Sequence, residues 1–396
     1  MLVHWLWLAT RPNISDREKA ALLQHFQDAE DIYFERKFET LPETARASLL
    51  DKDLTEAEKI LAACEEKGIR ICALPDAAYP KKLKNIADPP LVLYYKGNLP
   101  DMDSVPTVAL VGTRKASAYG LNTANRMGYQ MAMCGATVIS GLASGIDGAG
   151  AVGALTAGGT VVGVLGCGAD VVYPARNKRL YEDVRQKGCL LTEFPPGTPP
   201  YKWNFPKRNR IISGLSNGVL VVEAPERSGS LITARAAAEQ GRDVFAVPGN
   251  IDMPTFTGSN ALLREGAAMA TCGWDVLESY AGLYPGKVRQ FVLQVREKAP
   301  AMVAQNPHYP AKSSLYDKKN EKKPIDNSPA QPYSDIRDTL PENARKILDV
   351  LQKGECLADD VAVACDLTAA QLSSAVTMLQ IKGIVTKKAG NILSLK

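Results

Sequence analysis

The chain has 396 residues, 45% of them hydrophobic, and a formal net charge of +4. That length accommodates two or three domains of about 100–200 residues each, and the slight positive excess permits an anionic partner without requiring one. The three histidines, His4, His25 and His308, all lie outside residues 63–285. That segment therefore holds neither a Ser-His-Asp nor a Cys-His catalytic set, nor a histidine-ligated metal.

Residues 1–62 read as a small helical unit. Apolar spacing predicts helices over Asp16–Phe26 and Glu43–Leu50, and Thr55-Glu-Ala-Glu58 reads as a capping box opening a helix that runs to Gly68. The opening MLVHWLWLAT lacks a basic leading region and an A-x-A site, which argues against a secretory leader. Residues 63–104 are expected to add elements to the domain that follows. From about 105 to 250 the pattern is βα repetition, with strands predicted at Thr107–Val111, Thr137–Ser140, Thr160–Leu165, Leu190–Phe194, Val219–Glu223 and Asp243–Val247. Apolar strands alternating with helices predict an α/β, Rossmann-like, doubly wound parallel sheet covered on both faces. The span Gly148–Ala169 is uncharged over the length of a membrane helix, but Gly158-Gly159 in its middle favours helix, turn and buried strand.

Residues 286–338 have linker composition, with six prolines between Arg296 and Asp335 and a charge run over Asp317–Lys323. Residues 339–396 predict helices over Asn343–Leu351, Ala358–Ala364 and Thr368–Lys382, then strands Ile384–Lys387 and Ile392–Leu395, the order of a winged helix. Its third helix offers Gln371, Ser373, Ser374 and Thr377, with no arginine and no lysine before Lys382. That favours a protein-contacting or structural role over DNA reading. The eight cysteines form no CxxC pair, so zinc and thioredoxin readings are weak and buried free thiols of a reduced cytosol are expected.

No GxxxxGK[ST] loop and no GxSxG elbow occurs, since Gly141-Leu-Ala-Ser-Gly145 places its serine one position late. Gly166-Cys-Gly168 lacks the third glycine of a dinucleotide turn. What remains is a set of five loops at the carboxyl ends of strands, the edge at which open α/β sheets bind ligands. In Val111–Ser117, Arg114 can reach an oxyanion and Ser117 can cap the next helix. In Ser140–Asp147, Gly141 and Ser144 sit in a loop whose backbone N–H groups can approach a ligand, and Asp147 reads as a cap. Tyr173–Lys178 carries Arg176 and Lys178. Ser228-Gly229-Ser230 is a hydroxyl-rich turn into a helix. The fifth, Tyr201–Gly214, holds Lys202, Lys207, Arg208, Asn209 and Arg210 interleaved with Tyr201, Trp203 and Phe205, with no acidic residue between Glu193 and Glu223. Cations neutralise phosphates and aromatic faces stack on bases, which points to single-stranded nucleic acid. The alternative is a solvated basic face with aromatics turned into the core, Trp203 foremost. Residues 106–250 carry 15 Lys and Arg against 9 Asp and Glu, so positive charge is concentrated here.

Taken together, VGTRKAS (111–117), ISGLASGIDGAG (139–150), YPARN (173–177), TEFPPGTPP (192–200), FPKRNRIISGLS (205–216), VVEAPERSGSLITARAAAEQGRDVFAVPGN (221–250) and GSNALLREGA (258–267) resemble the DNA processing protein A family, DprA or Smf. The resemblance covers most of residues 70–280. It implies an extended Rossmann fold over 63–285, flanked by an N-terminal helical, SAM-like unit (1–62) and, beyond the linker, a winged helix (339–396). It further implies a cytoplasmic homodimer without cofactor or catalysis that binds single-stranded DNA and delivers RecA onto it in natural transformation. The family's DNA pocket uses the Arg of the GTR-type turn and a Lys-x-x-Phe pair, here Arg114, Lys202 and Phe205. Arg208 and Arg210 match its RNR segment, and its basic position near the YP turn is Arg176 or Lys178. The rival is a nucleotide-binding enzyme. Related Rossmann proteins hydrolyse nucleoside monophosphates with a Pro-Gly-Gly-x-Gly-Thr turn and a following Glu, where this chain has Ser228-Gly-Ser230 and Glu239. Glu193 and Glu223 are its candidate carboxylates, with strand-end or capping roles as the structural alternative.

Overall fold

Each predicted βα strand is present to within a residue or two in the computed structural model, which describes residues 1–38, 41–291, 340–352, 354–381, 384–388 and 392–395. The expected linker from residue 292 to 338, with His308, lies outside the described residues, as does Lys382. The chain divides into two compact units, Met1–Ser313 and Ser314–Lys396.

The first unit opens with five helices, α1 (Leu2–Thr10), α2 (Asp16–His25), α3 (Ala29–Phe34), α4 (Glu43–Leu50) and α5 (Thr55–Glu66). Then come β1 (Arg70–Ala73), α6 (Lys81–Lys84), β2 (Val92–Gly97), β3 (Thr107–Val111), α7 (Ala118–Met133), β4 (Thr137–Ser140), α8 (Ile146–Thr156), β5 (Val161–Val164), α9 (Lys178–Lys187), β6 (Cys189–Thr192), α10 (Asn204–Gly214), β7 (Gly218–Val221), α11 (Gly229–Glu239), β8 (Asp243–Ala246), α12 (Thr257–Arg264), β9 (Ala268–Met269) and α13 (Gly273–Leu277).

The nine strands run in the order β1-β2-β6-β5-β4-β3-β7-β8-β9. From β6 to β9 neighbouring strands are parallel, whereas β1 and β2 are antiparallel additions at the β6 edge. The chain leaves β3 toward β4, β5 and β6, then returns through α10 to place β7 on the other side of β3. That reversal is the topological switch point at which open α/β sheets bind ligands. The central strands feed two cores. Val108, Leu110, Val138 and Leu220 pack with α7, α8 and α9, while Ala109, Val111, Ile139 and Val221 face the core holding Ile211, Ile212 and Ala234 of α10 and α11.

The N-terminal helices have no core of their own. Trp5, Leu6, Trp7 and Leu8 of α1 belong to the same buried cluster as Leu93 of β2 and Ile211 of α10. The capping boxes lie at Ser15/Glu18 and Asp28/Asp31. The one expected at Thr55 is absent because Asp53 takes its place, accepting from the Thr55 backbone N–H (2.9 Å) and Oγ1 (2.6 Å). Residues up to Phe291 still belong to this unit, since Val288 and Phe291 pack against the second core and the Arg289 N–H donates to the Cys134 carbonyl (3.1 Å). The packed unit therefore continues past residue 286, where linker composition begins.

The second unit contains α14 (Glu342–Leu351), β10 (Cys356–Leu357), α15 (Ala358–Cys365), α16 (Ala369–Ile381), β11 (Val385–Lys388) and β12 (Ile392–Leu395), with a sheet ordered β10-β12-β11. Ile347, Leu348, Val361, Leu379 and Leu393 form its core. Gln371, a candidate for DNA reading, is engaged at the start of α16, where its Oε1 accepts from the Thr368 N–H and Oγ1 (both 2.9 Å). The Ser373 and Thr377 side chains lie outside the described residues.

Among the described residues no helix is long and apolar enough to cross a membrane, and the Gly148–Ala169 span is α8, a turn and β5. All eight thiols are free. Burial pushes Cys64 and Cys167 up to about 11 and Cys72 and Cys189 up to about 12, so these four are packing groups rather than nucleophiles.

Candidate nucleic-acid interface

The loops after β3, β4 and β5 meet the start of α10 at the carboxyl edge of the sheet. They form a concavity lined by Arg114, Gly141, Ala143, Ser144, Tyr173, Pro174 and Phe205, none of them acidic. Arg114 is exposed and its guanidinium rests 5.0 Å from the centroid of the Phe205 ring. The Tyr173 ring flanks Phe205 at 5.4 Å and 41°. Arg176 donates from Nε to Ser144 Oγ (3.0 Å), which ties the loop after β5 to the loop after β4. Lys202 and Lys178 stand exposed beside these segments, and neither has an ion-pair partner among the described residues. The structure thus brings Arg114, Gly141, Ser144, Arg176 and Phe205 to one place. It adds Tyr173, whose signal in the sequence is the Tyr-Pro dipeptide in the loop between β5 and α9.

Other expected contacts are turned inward. Arg208 is 4% exposed and donates from Nη1 to the Gly141 carbonyl (3.1 Å) and to the Val164 carbonyl. Its guanidinium faces the buried Asp147, so the pair lies beneath the concavity and Arg208 is not positioned to meet phosphate. Burial pushes the Asp147 carboxyl up, against the pull of Arg208 and of the Gly112 and Ala143 N–H groups. Asp147 is not a cap, because Gly145 holds that position and Asp147 lies in the first turn of α8. Packing beneath the concavity also requires Gly141. A Cβ there would stand 2.6 Å from Asp147 Oδ2 and 2.7 Å from Arg208 Nη2. Gly145 has φ of 81° and its Cβ position is 2.3 Å from the Thr113 carbonyl oxygen, so only glycine closes this turn.

Arg210 is also spent internally. Its two terminal nitrogens bond both oxygens of Glu193 (2.8 Å each), and its Nε lies 3.1 Å from Asp88 Oδ2. Lys207 keeps an exposed stem but bonds Asp16 of α2 (2.8 Å) and lies 3.5 Å from Glu193. The RNR segment therefore pins the N-terminal helices to α10. Although burial opposes it, attraction by Glu193 and Asp16 raises Lys207 above its ordinary value. The Lys207 hydrogen bond and its charge hold Asp16 below the usual carboxylate range, again against burial. Asn209 is buried and donates to the Gly229 carbonyl (3.2 Å). Ser228 caps α11, accepting from the Ser230 N–H (3.3 Å) and sharing a 2.7 Å hydroxyl contact with the buried Ser230, while Gly229 is exposed. These three form a cap rather than a cradle.

The N-terminus of α7 is filled from within the protein. Ser117 accepts from the Gly120 N–H (3.0 Å), and the fully buried Glu223 carboxylate accepts from the Ser117 N–H (3.1 Å) and Oγ (2.9 Å). A phosphate expected at Ser117 has no room, because Glu223 already serves as the anion. The enzyme rival loses its groups in the same way. Glu223 is buried against α7, Glu193 is locked to Arg210, and Glu239 is exposed at the far end of α11, roughly 16 Å from Ser228 at 1.5 Å per residue. Among the described residues no group of three His, Cys, Asp or Glu is placed to hold a metal ion.

Trp203 overturns its expected place in the core. It is 70% exposed, immediately before α10.

A family model, DNA recombination-mediator protein A, matches residues 70–281, and a second, DprA winged helix domain, matches residues 330–391. The DNA processing protein DprA of Bacillus subtilis (strain 168) is 43% identical over 220 residues, spanning 56% of this chain and 74% of that protein. Its counterpart in Streptococcus pneumoniae (strain ATCC BAA-255 / R6) is 46% identical over 207 residues, 52% of this chain and 72% of that protein. The X-ray structure of DprA from Streptococcus pneumoniae superposes with a TM-score of 0.61 at 36% identity, covering 70% of this chain and 98% of that one. With the first family model spanning more than half of its length, the chain belongs to the DNA recombination-mediator protein A (DprA/Smf) family.

Proposed function

We propose that this chain binds single-stranded DNA along the carboxyl edge of its sheet, acts as a homodimer in the cytoplasm, and delivers the strand to RecA during natural transformation. One observation carries the DNA reading: Arg114, Arg176 and the Phe205–Tyr173 ring pair converge on a concavity without an acidic lining residue. Arg114 and Arg176 meet backbone phosphates, with Lys202 and Lys178 tracking the strand on either side. A base enters against Phe205, displacing or sharing the Arg114 guanidinium. Single strands fit this arrangement because a base must leave a duplex to reach a recessed ring, and stacking on an aromatic is sequence-tolerant. Hydrolysis of a nucleotide does not fit it, since the strand-end carboxylates Glu193 and Glu223 are respectively paired with Arg210 and buried against Ser117.

The test is fluorescence-anisotropy binding of single- and double-stranded oligonucleotides to the full chain over a salt series. Preference for the single strand, with affinity falling steeply with salt, supports the reading. Equal affinity for both forms, or affinity indifferent to salt, overturns it. Dimer formation is checked by sedimentation, and RecA delivery by filament growth on strands pre-bound by this protein.

A further inference from the structure

We infer that Tyr201 and Trp203 form a second base-stacking station, next to the Phe205 concavity, that engages an additional nucleotide of a bound single strand. The inference rests on the single-stranded DNA reading above. The two rings are parallel within 9°, with centroids 4.7 Å apart, yet Trp203 is 70% and Tyr201 45% exposed. A lone exposed apolar side chain needs no explanation, but two large rings stacked on each other in water leave wide apolar faces unburied. The segment that carries them is held in place. The buried Asn204 amide donates to the Gly166 carbonyl (3.0 Å), the Asn204 N–H to the Tyr201 carbonyl (3.0 Å), and the Tyr201 N–H to the Pro199 carbonyl (2.8 Å). The platform therefore exists before any ligand arrives, which spares the cost of ordering it.

Charge selects its occupant. Lys202 lies between the rings in sequence and is exposed, and no acidic residue occurs from Phe194 to Val222. An open indole face beside an unpaired cation fits a nucleobase with its phosphate. Phe205 follows two residues later, so one strand engages both stations in succession.

Trp203 also reports on itself. Trp5 and Trp7 are buried and Trp274 is half-buried, leaving Trp203 as the exposed tryptophan of the four. The experiment titrates the full chain, wild type and Trp203→Leu, with oligothymidylates of graded length, reading tryptophan emission and affinity. Long oligomers should quench wild-type emission. Trp203→Leu should lose most of the quenching and weaken binding of long oligomers about ten-fold, with little effect on oligomers too short to reach past Phe205. Trp203→Phe should restore most of the affinity, and unchanged melting curves show that the exposed site leaves the fold intact. Unchanged affinity in Trp203→Leu, while Arg114→Ala weakens binding, overturns the station and leaves the DNA reading standing. An equal loss on the shortest oligomers, or a change of oligomeric mass without a change in DNA affinity, overturns it too, the latter making Trp203 a protein contact. Absence of single-strand binding by the wild type removes the DNA reading itself.

Discussion

Replacing Arg208 separates a buried structural arginine from a DNA contact. Arg208→Met keeps the length of the side chain but removes its hydrogen bonds to the Gly141 and Val164 carbonyls and strands the buried Asp147 without its guanidinium. Leaving a buried polar group without its partner costs about 1–3 kcal/mol, so losing both carbonyl bonds costs about 2–6 kcal/mol, which lowers Tm by roughly 4–24 °C at about 2–4 °C per kcal/mol. The loss has a pH signature. Burial already raises Asp147, and without Arg208 its folded-state value rises further. A carboxyl raised on folding contributes stability that is present at low pH and lost as pH rises through its folded value. The deficit of the variant should therefore be largest at alkaline pH and shrink on acidification. The assay is urea denaturation across that range, with single-strand binding measured well below the variant's Tm. Unchanged stability accompanied by a weaker, less salt-dependent affinity would refute the reasoning, because it would make Arg208 a phosphate contact.

Asp16→Asn should cost about 1.5–3 kcal/mol at neutral pH by removing a charged partner of Lys207 and Arg210. Asp16 is depressed in the folded state, so its contribution is present above the ordinary carboxylate value and lost as pH falls through the lower folded value; a cost equal at pH 3 and pH 7 contradicts the network. Phe205→Ala should weaken single-strand binding by about 1–3 kcal/mol on every sequence. Because Arg114 rests on that ring, its effect and that of Arg114→Ala should be non-additive in a double-mutant cycle, and strict additivity would separate the two groups. Glu223→Gln should destabilise the fold by weakening the bonds to Ser117. Base release from nucleoside monophosphates by the wild type, abolished in this variant, would instead favour the enzyme.

The parallel sheet was legible because Thr107–Val111 and Thr137–Ser140 are short apolar runs between helices, a pattern that local composition alone produces. That residues 63–104 add elements was legible too, but the antiparallel pairing of β1 and β2 was not, since Arg70–Ala73 is too short to name its partner and gains its place by pairing with Val92–Tyr95. At the site, Arg114 and Phe205 were legible because they sit in loops that the sheet edge must present. Arg208 and Arg210 were not, because their partners Asp147, Glu193, Asp88 and Asp16 come from four distant segments, and a basic run looks the same in sequence whether it meets solvent or buried carboxylates. The capping role open to Glu223 was legible, but its partner was not, since Ser117 lies 106 residues away. Because α1 shares its core with the sheet, removing residues 1–62 would uncover apolar side chains of that cluster such as Leu93, and binding tests belong on the full chain.

The most direct test compares single-strand affinity over a salt series for the full chain and for Arg114→Ala/Lys202→Ala. The double variant should lose much of its affinity on all sequences and show a salt slope reduced by about two ions, with melting curves unchanged because both side chains are exposed. Affinity and slope equal to those of the wild type would contradict the DNA reading.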